Sequence, residues 1–280
     1  MSGLVDHSGI RELVVEASSI VAGYLRDIAG SQELADYMGR GAGGDTSYRA
    51  DILAEEILID FLRKEHFPAR IVTEEKGVVD IVSKPEYLVL VDPLDGSLNY
   101  VSMIPYASVS IAVALVRKPF FSQVIAGCVS NIFLRETYSF SIENGVWVNG
   151  VRVEEPLCSG RAFIVYSSNP KLYRVAAEYV RENREYKLRI LGSAALELCY
   201  SVLGRTAIYY NDSGKLRNID VVAGAGFVRR LRGAVVDRYG RELDFRLDGL
   251  YRISSIVAGC RENVYRFIEY IRGRGYVVDS

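Results

Sequence analysis

Among the 280 residues there are two glutamines, Gln32 and Gln123, and a single tryptophan, Trp147. Scarce amides beside abundant Glu and Arg are a composition found in proteins adapted to heat. No apolar run reaches the roughly 18 residues that would span a bilayer. An excess of one charge sign is also missing: 34 Lys and Arg face 35 Asp and Glu, for a net charge of -1 and a pI near 6.2. That balance argues against a general nucleic-acid or membrane-surface binder. Residues 1–6 carry no basic stretch leading into an apolar core, so the sequence predicts no secretory leader and a cytoplasmic protein. The four cysteines (Cys128, Cys158, Cys199, Cys260) are scattered without a CxxC pair. They are expected to be reduced packing residues. No internal repeat or low-complexity segment is found. What is present, 49% hydrophobic and 25% charged residues, suits one large soluble domain or two modest ones.

Ile10, Leu13, Val14, Ala17, Ile20, Val21, Tyr24, Leu25 and Ile28 recur at helical spacing and predict a helix over about 8–29. The stretch GRGAGGDTSYRAD, residues 39–51, holds Gly39, Gly41, Gly43 and Gly44 and reads as a loop. That loop is either a lid that closes over a ligand or an ordinary connection between helices. A second helix follows and ends at Phe67-Pro68. Strands are expected at 70–73, 87–91, 108–116, 120–129 and 133–141, the later ones as an antiparallel meander. Beyond residue 160, strands at 162–166, 187–191, 207–210, 233–237 and 255–259 alternate with helices, the last at about 262–272. The shift in rhythm near 150–160 divides the chain into 1–155 and 156–280, and the alternation predicts layered α/β packing.

The most informative stretch is LVLVDPLDGSLNY, residues 88–100. A strand of bare hydrocarbon runs into Asp92 and Asp95 around Pro93, which fixes the backbone there. Strand ends of this kind are where α/β folds build sites. Glu74 and Glu75 end another strand. If the two strands are neighbours, the carboxylates converge and repel unless a cation holds them. An all-oxygen set points to magnesium, manganese or calcium. Gly96 and Ser97 follow at once and suit the close approach of an oxyanion. By composition alone DPLDG is also an ordinary turn. Acids on two strand ends, followed by Gly-Ser, favour the cation reading and, with a phosphate, phosphoryl-transfer chemistry. The haloacid-dehalogenase pattern DxDG is excluded, because Asp92 and Asp95 stand one residue too far apart.

VDPLDGSLNY resembles the DPxDG(T/S)xN signature of the inositol monophosphatase and fructose-1,6-bisphosphatase superfamily. IVTEEK, GDTSYRADILAEEIL, LGSAALELCYSVLGRTAIYY and NIDVVAGAGFVRRLRGAVVD resemble further elements of that family in the same order. Ser97, LGSAALEL and KLRNID look most like its archaeal branch, which acts on both inositol monophosphate and fructose 1,6-bisphosphate. The resemblance implies an αβαβα layered sandwich, a homodimer, and hydrolysis of phosphate monoesters of small polyols or sugars with two or three Mg²⁺ ions, or Mn²⁺. It implies Glu74, Asp92, the Leu94 carbonyl, Asp95 and Asp220 as metal ligands, with Glu75 the alternative to Glu74. It implies that Asp51 and Ser97 orient the attacking water, Glu74 assisting, and that Gly96 and Ser97 cradle the phosphate. Ile219 stands where the family carries Trp, and Arg230-Leu231-Arg232-Gly233 where it carries EAGG.

For the substrate, the resemblance points to Gly192, Ser193 and Ala194 and to Asn211 or Asp212. A remote phosphate would need cations; Tyr173, Lys187 and Arg189 are possible partners for it, as is Arg217. Lys187 and Arg189 read equally well as a solvated strand face. Two rival functions remain at this stage. One is a phosphatase of the same fold acting on a 3′-phosphoadenosine nucleotide or NADP. The other is a metal- or phosphate-binding regulator without catalysis.

Overall fold

The computed structural model describes residues 7, 9–31, 36–42 and 46–276. The opening segment 1–6, Gln32, Gly43, Gly44 and Asp45 lie outside them. The elements run α1 (Ile10–Ile28), β1 (Tyr37–Arg40), β2 (Thr46–Tyr48), α2 (Arg49–Lys64), β3 (Ala69–Thr73), β4 (Gly77–Asp80), β5 (Tyr87–Asp95), α3 (Ser97–Val101) and β6 (Ser108–Leu115). They continue through β7 (Ala126–Asn131), β8 (Thr137–Ser141), β9 (Gly145–Val148), β10 (Val151–Val153), β11 (Ala162–Ser167), α4 (Pro170–Glu182) and β12 (Lys187–Arg189). The last are α5 (Ala194–Tyr200), β13 (Thr206–Asp212), α6 (Asn218–Arg230), β14 (Ala234–Val236), β15 (Ile256–Gly259) and α7 (Arg261–Gly273).

Eight strands form one sheet in the order β10-β9-β8-β7-β6-β5-β3-β4, and five form another in the order β12-β11-β13-β15-β14. The change of sheet falls between Val153 and Ala162. Helices α1 and α2 cover one face of the large sheet, α5 and α6 lie between the sheets, and α4 and α7 cover the far face of the small sheet. The result is the αβαβα sandwich. Each interlayer space has its own core, and strand alternation feeds two cores at once. Tyr87, Val89 and Val91 of β5 point to the α1–α2 side, whereas Leu88 and Leu90 point to the middle layer. In β11, Phe163 and Val165 face α4 and α7 while Ile164 faces the middle. A strand buried on both faces reads as an unbroken apolar run, which is why LVLV carries no polar residue.

Helix α6 lies very close to its neighbours. A Cβ at Gly226 would sit 2.4 Å from Phe140 Cζ of β8, and one at Gly224 would sit 2.8 Å from the Ala195 carbonyl of α5. Only glycine permits that approach.

The structure corrects four readings. The glycine-rich stretch is not simply a loop: β1 and β2 pair antiparallel, with Arg40 opposite Thr46. The strand expected from Phe120 starts only at Ala126, because the Phe121 N–H donates to the Phe245 carbonyl and the two rings stack at 4.8 Å. The stretch 133–141 is strand only from Thr137 onward. The cysteines are not all reduced: Cys158 and Cys260 form a disulfide, whereas Cys128 and Cys199 are buried thiols. The segment joining the sheets is tied to the end of α5 by Leu157 N–H to Val202 O at 2.9 Å. It thereby brings Cys158 beside Cys260 at the start of α7, 102 residues away.

Candidate active site

Strands β3 and β5 are parallel neighbours, with Thr73 opposite Val91. Glu74 therefore leaves the sheet beside Asp92. The two aspartates need a further device, because residues three apart on a regular strand face opposite ways. Asp92 pairs with Ser110 and Asp95 with Ser108, so β5 advances three residues while β6 advances two. This bulge around Pro93 and Leu94 restores both carboxylates to one side. The acids thus lie within the end of the strand, not in a turn after it. Gly96 follows with φ +94°, and a Cβ there would sit 2.8 Å from the Gly192 carbonyl. That glycine lets the Gly192 turn lie against the backbone just before Ser97 and the start of α3.

Both acidic arms are held by further groups. Asp95 accepts four hydrogen bonds: from Ser193 Oγ at 2.6 Å, Ala195 N at 2.9 Å, Ala194 N at 3.0 Å and Ser108 Oγ at 3.1 Å. Asp92 Oδ1 accepts the Leu94 N–H at 3.1 Å. Glu55 of α2, fully buried, accepts Thr73 Oγ1 at 2.8 Å, Glu75 N at 3.0 Å and Lys76 N at 3.2 Å. It fixes the turn that presents Glu74. Glu75 has its carboxylate beside Gly41 instead, so of the two glutamates it is Glu74 that lines the cavity.

Asp51 and Asp220 occupy equivalent places on two helices. Each sits in the first turn and accepts the backbone N–H three residues before it, Tyr48 to Asp51 and Arg217 to Asp220, both at 2.8 Å. Burial pushes the Asp51 carboxyl up to about 8, and the charges of Glu74 and Glu75 add to the effect. Burial raises Asp220 to about 7 against the pull of Arg217. Asp95 rises to about 6, again by burial, despite its four donors. Asp92 is displaced well upward by burial and then by Asp95, Glu74 and Asp220.

One cation of the chain enters this group. Arg217 Nη2 donates to Glu74 Oε1 at 2.6 Å, and Nε lies 3.7 Å from Asp220 Oδ1. Among the described residues no three carboxylates are gathered tightly around a single point. The donor set nevertheless suits a hard divalent cation: all ligands are oxygen, and Asp220 Oδ1 accepts no hydrogen bond among the described residues.

Glu74, Asp92, Leu94, Asp95, Gly96, Ser97 and Asp220 all line one cavity of about 490 Å³. Tyr173, Gly192, Ala194, Asn211 and Arg217 line it too. Four of the expected substrate residues are placed otherwise. Ser193 is fully buried, with its hydroxyl given to Asp95. Asp212 follows Asn211 on β13 and so faces the opposite side, where Tyr210 donates to it at 3.1 Å. Lys187 and Arg189 lie on β12, at the edge of the small sheet, and line a separate groove with Arg181 and Arg184. The cavity wall instead includes Lys215, Tyr166, Tyr209 and Glu197, which the sequence reading missed. Only the SGK turn after Asn211 hinted at Lys215.

The model of the inositol monophosphatase family matches residues 7–270. The chain is 36% identical over 267 residues to an inositol-1-monophosphatase of Aeropyrum pernix, covering 94% of this chain and 97% of that one. It is 27% identical over 259 residues to a fructose-1,6-bisphosphatase/inositol-1-monophosphatase of Thermococcus kodakarensis, covering 92% and 94%. Its fold matches the crystal structure of an inositol monophosphatase–fructose 1,6-bisphosphatase with a TM-score of 0.78 at 22% identity, covering 92% of this chain and 98% of that one.

Proposed function

Because the chain belongs to the inositol monophosphatase family, we propose that it hydrolyses phosphate monoesters of small polyols and sugars. Its substrates are myo-inositol 1-phosphate, fructose 1,6-bisphosphate or both. The observation that carries this reading is the meeting of Glu74, Asp92, Leu94, Asp95 and Asp220 on one cavity with Gly96 and Ser97. Those carboxylates and the Leu94 carbonyl would hold two or three Mg²⁺ ions, with Mn²⁺ as a substitute. Bound there, such ions supply Lewis acidity at the phosphate and lower the pKa of the attacking water.

The chain's own groups do the rest. Asp51 is buried behind the cavity rather than among its lining residues, with Oδ2 held by the Tyr48 N–H; the role assigned to it, with the Ser97 hydroxyl, is to orient the water. The backbone at Gly96 and Ser97 receives the phosphate. Asn211 and the Gly192–Ala194 turn would meet the hydroxyl-bearing body of the substrate, and Tyr173 and Lys215, on the same cavity, would serve a remote phosphate. The parts 1–155 and 156–280 both contribute to this site. The setting we assign is a cytoplasmic homodimer; no helix among the described residues is long and apolar enough to cross a membrane.

The test is release of inorganic phosphate from a panel of myo-inositol 1-phosphate, fructose 1,6-bisphosphate, NADP and a 3′-phosphoadenosine nucleotide, with Mg²⁺ and with EDTA. Mg²⁺-dependent release from the first two supports the reading. Preference for the nucleotides replaces the substrate class, and no release from any of them leaves a binding protein.

A further inference from the structure

Glu197 lies in the first turn of α5 with its side chain fully shielded from water. Burying a carboxyl is costly unless its oxygens are matched by donors. Here Oε1 accepts the Tyr166 hydroxyl at 2.7 Å and the Leu191 N–H at 3.0 Å, whereas the buried Oε2 meets no donor among the described residues. The Tyr166 oxygen in turn accepts the Gly192 N–H at 2.7 Å and the Leu191 N–H at 3.1 Å. One hydroxyl and one carboxyl oxygen therefore catch two consecutive amides. Asn99 Nδ2 holds the same turn from its other side, donating to the Leu191 carbonyl at 2.6 Å. The next three residues, Ser193, Ala194 and Ala195, are those that donate to Asp95.

We propose that Glu197 and Tyr166 are a positioning pair that fixes the 191–193 turn and thereby aims the Asp95 carboxylate into the cavity. This rests on the reading of Asp95 as a cation ligand. A leucine at 197 would fill the core equally well, but it would leave the Leu191 amide with Tyr166 alone and free the Tyr166 ring to turn. The glutamate acts here as an acceptor rather than a charge. Burial pushes its carboxyl up to about 8, so at neutral pH a glutamine amide oxygen should serve in its place.

The experiment compares Tyr166→Phe, Glu197→Ala and Glu197→Gln with the wild-type chain. Mg²⁺ affinity is measured by calorimetry, phosphate release by assay, and amide exchange over residues 191–195 by mass spectrometry. Removing a group that orients a metal ligand weakens metal affinity or activity about 10–100-fold. Tyr166→Phe and Glu197→Ala are expected to weaken Mg²⁺ binding about 10-fold, lower kcat by at least as much, and speed exchange over 191–195. Glu197→Gln should recover most of each. The proposal is overturned if Tyr166→Phe and Glu197→Ala stay within about twofold of wild type in exchange and Mg²⁺ affinity, whatever their melting temperatures. It is also overturned if Glu197→Gln is as damaged as Glu197→Ala. Should Glu197→Ala not fold, Tyr166→Phe and Glu197→Gln decide alone. A wild-type chain that neither binds Mg²⁺ nor releases phosphate would refute the site reading separately. The exchange data would still show whether the pair holds the turn.

Discussion

Arg217 Nη2 and Glu74 Oε1 are 2.6 Å apart although the residues lie 143 positions apart in the chain. The guanidinium joins the start of α6 to the end of β3 and sits near Asp92 and Asp220, which burial makes reluctant to ionise. Arg217→Gln should therefore destabilise the protein in EDTA by on the order of 3 kcal/mol, as loss of one partner of a buried ion pair does. A divalent cation supplies the same positive charge, so added Mg²⁺ should raise the melting temperature of Arg217→Gln more than that of wild type. Equal gains in thermal melts with and without Mg²⁺ would show that Arg217 and the cation answer to different groups.

Asp95→Asn should cut activity sharply and also weaken the fold. Both carboxylate oxygens accept donors, and an amide nitrogen would point hydrogens at one of those sets. Leaving buried donors without an acceptor costs about 1–3 kcal/mol. Loss of a charged group facing the reacting phosphate should lower kcat by roughly 10²–10³-fold. Denaturant melts and phosphate release at saturating Mg²⁺ measure the two effects separately; normal turnover would remove Asp95 from the ligand set.

In EDTA, stability should fall as pH rises from about 4 to about 8. The Asp51 carboxyl titrates near 3.8 when unfolded and about 8 when folded. Between those values the folded chain keeps a proton that the unfolded chain has lost, so each rise in pH favours unfolding. The raised Asp95 and Asp220, at about 6 and about 7, act in the same direction. Asp51→Asn keeps an acceptor for the Tyr48 N–H and should flatten the profile of melting temperature against pH without levelling it. An unchanged slope would mean that Asp51 is not the buried acid it is taken to be.

Reducing the Cys158–Cys260 bond should destabilise the chain. The bond closes a span of 102 residues, for which chain entropy gives at most about 4–5 kcal/mol. At this chain length that corresponds to a fall in Tm of roughly 10 °C. Cys158→Ser and dithiothreitol should lower Tm equally and not additively. If dithiothreitol leaves the wild-type Tm unchanged, the two thiols are not bonded in solution.

Much of the site could be read from residue order because its parts are local. An apolar strand ending in two acids, a second strand ending in Glu74, and Asp220 in the first turn of a helix are each visible within a few residues. What escaped depends on partners far along the chain. The bulge that turns Asp95 toward Asp92 exists only relative to the register of β6. Lys187 and Arg189 were candidates until β12 proved to be an edge strand. Asp212 lost its place once β13 extended past Tyr210 and strand alternation turned it away. Glu55 and Glu197 were missed for the opposite reason. An acid on a helix normally faces solvent, and nothing local to either residue shows that it points inward at a turn.

The bare contacts of α6 have a mechanical side. At Gly224 the helix rests on α5, and at Gly226 it rests on Phe140 of the large sheet, with no side chain of its own between. These are two fixed stops, and Asp220 sits on the same rigid rod about one turn away. The depth at which that carboxylate enters the cavity is therefore gauged by bare backbone. A single methyl at residue 226 would act as a shim: it would tilt the rod and withdraw the acid at its far end, so the catalyst would go out of adjustment while the rest of the sandwich still held together.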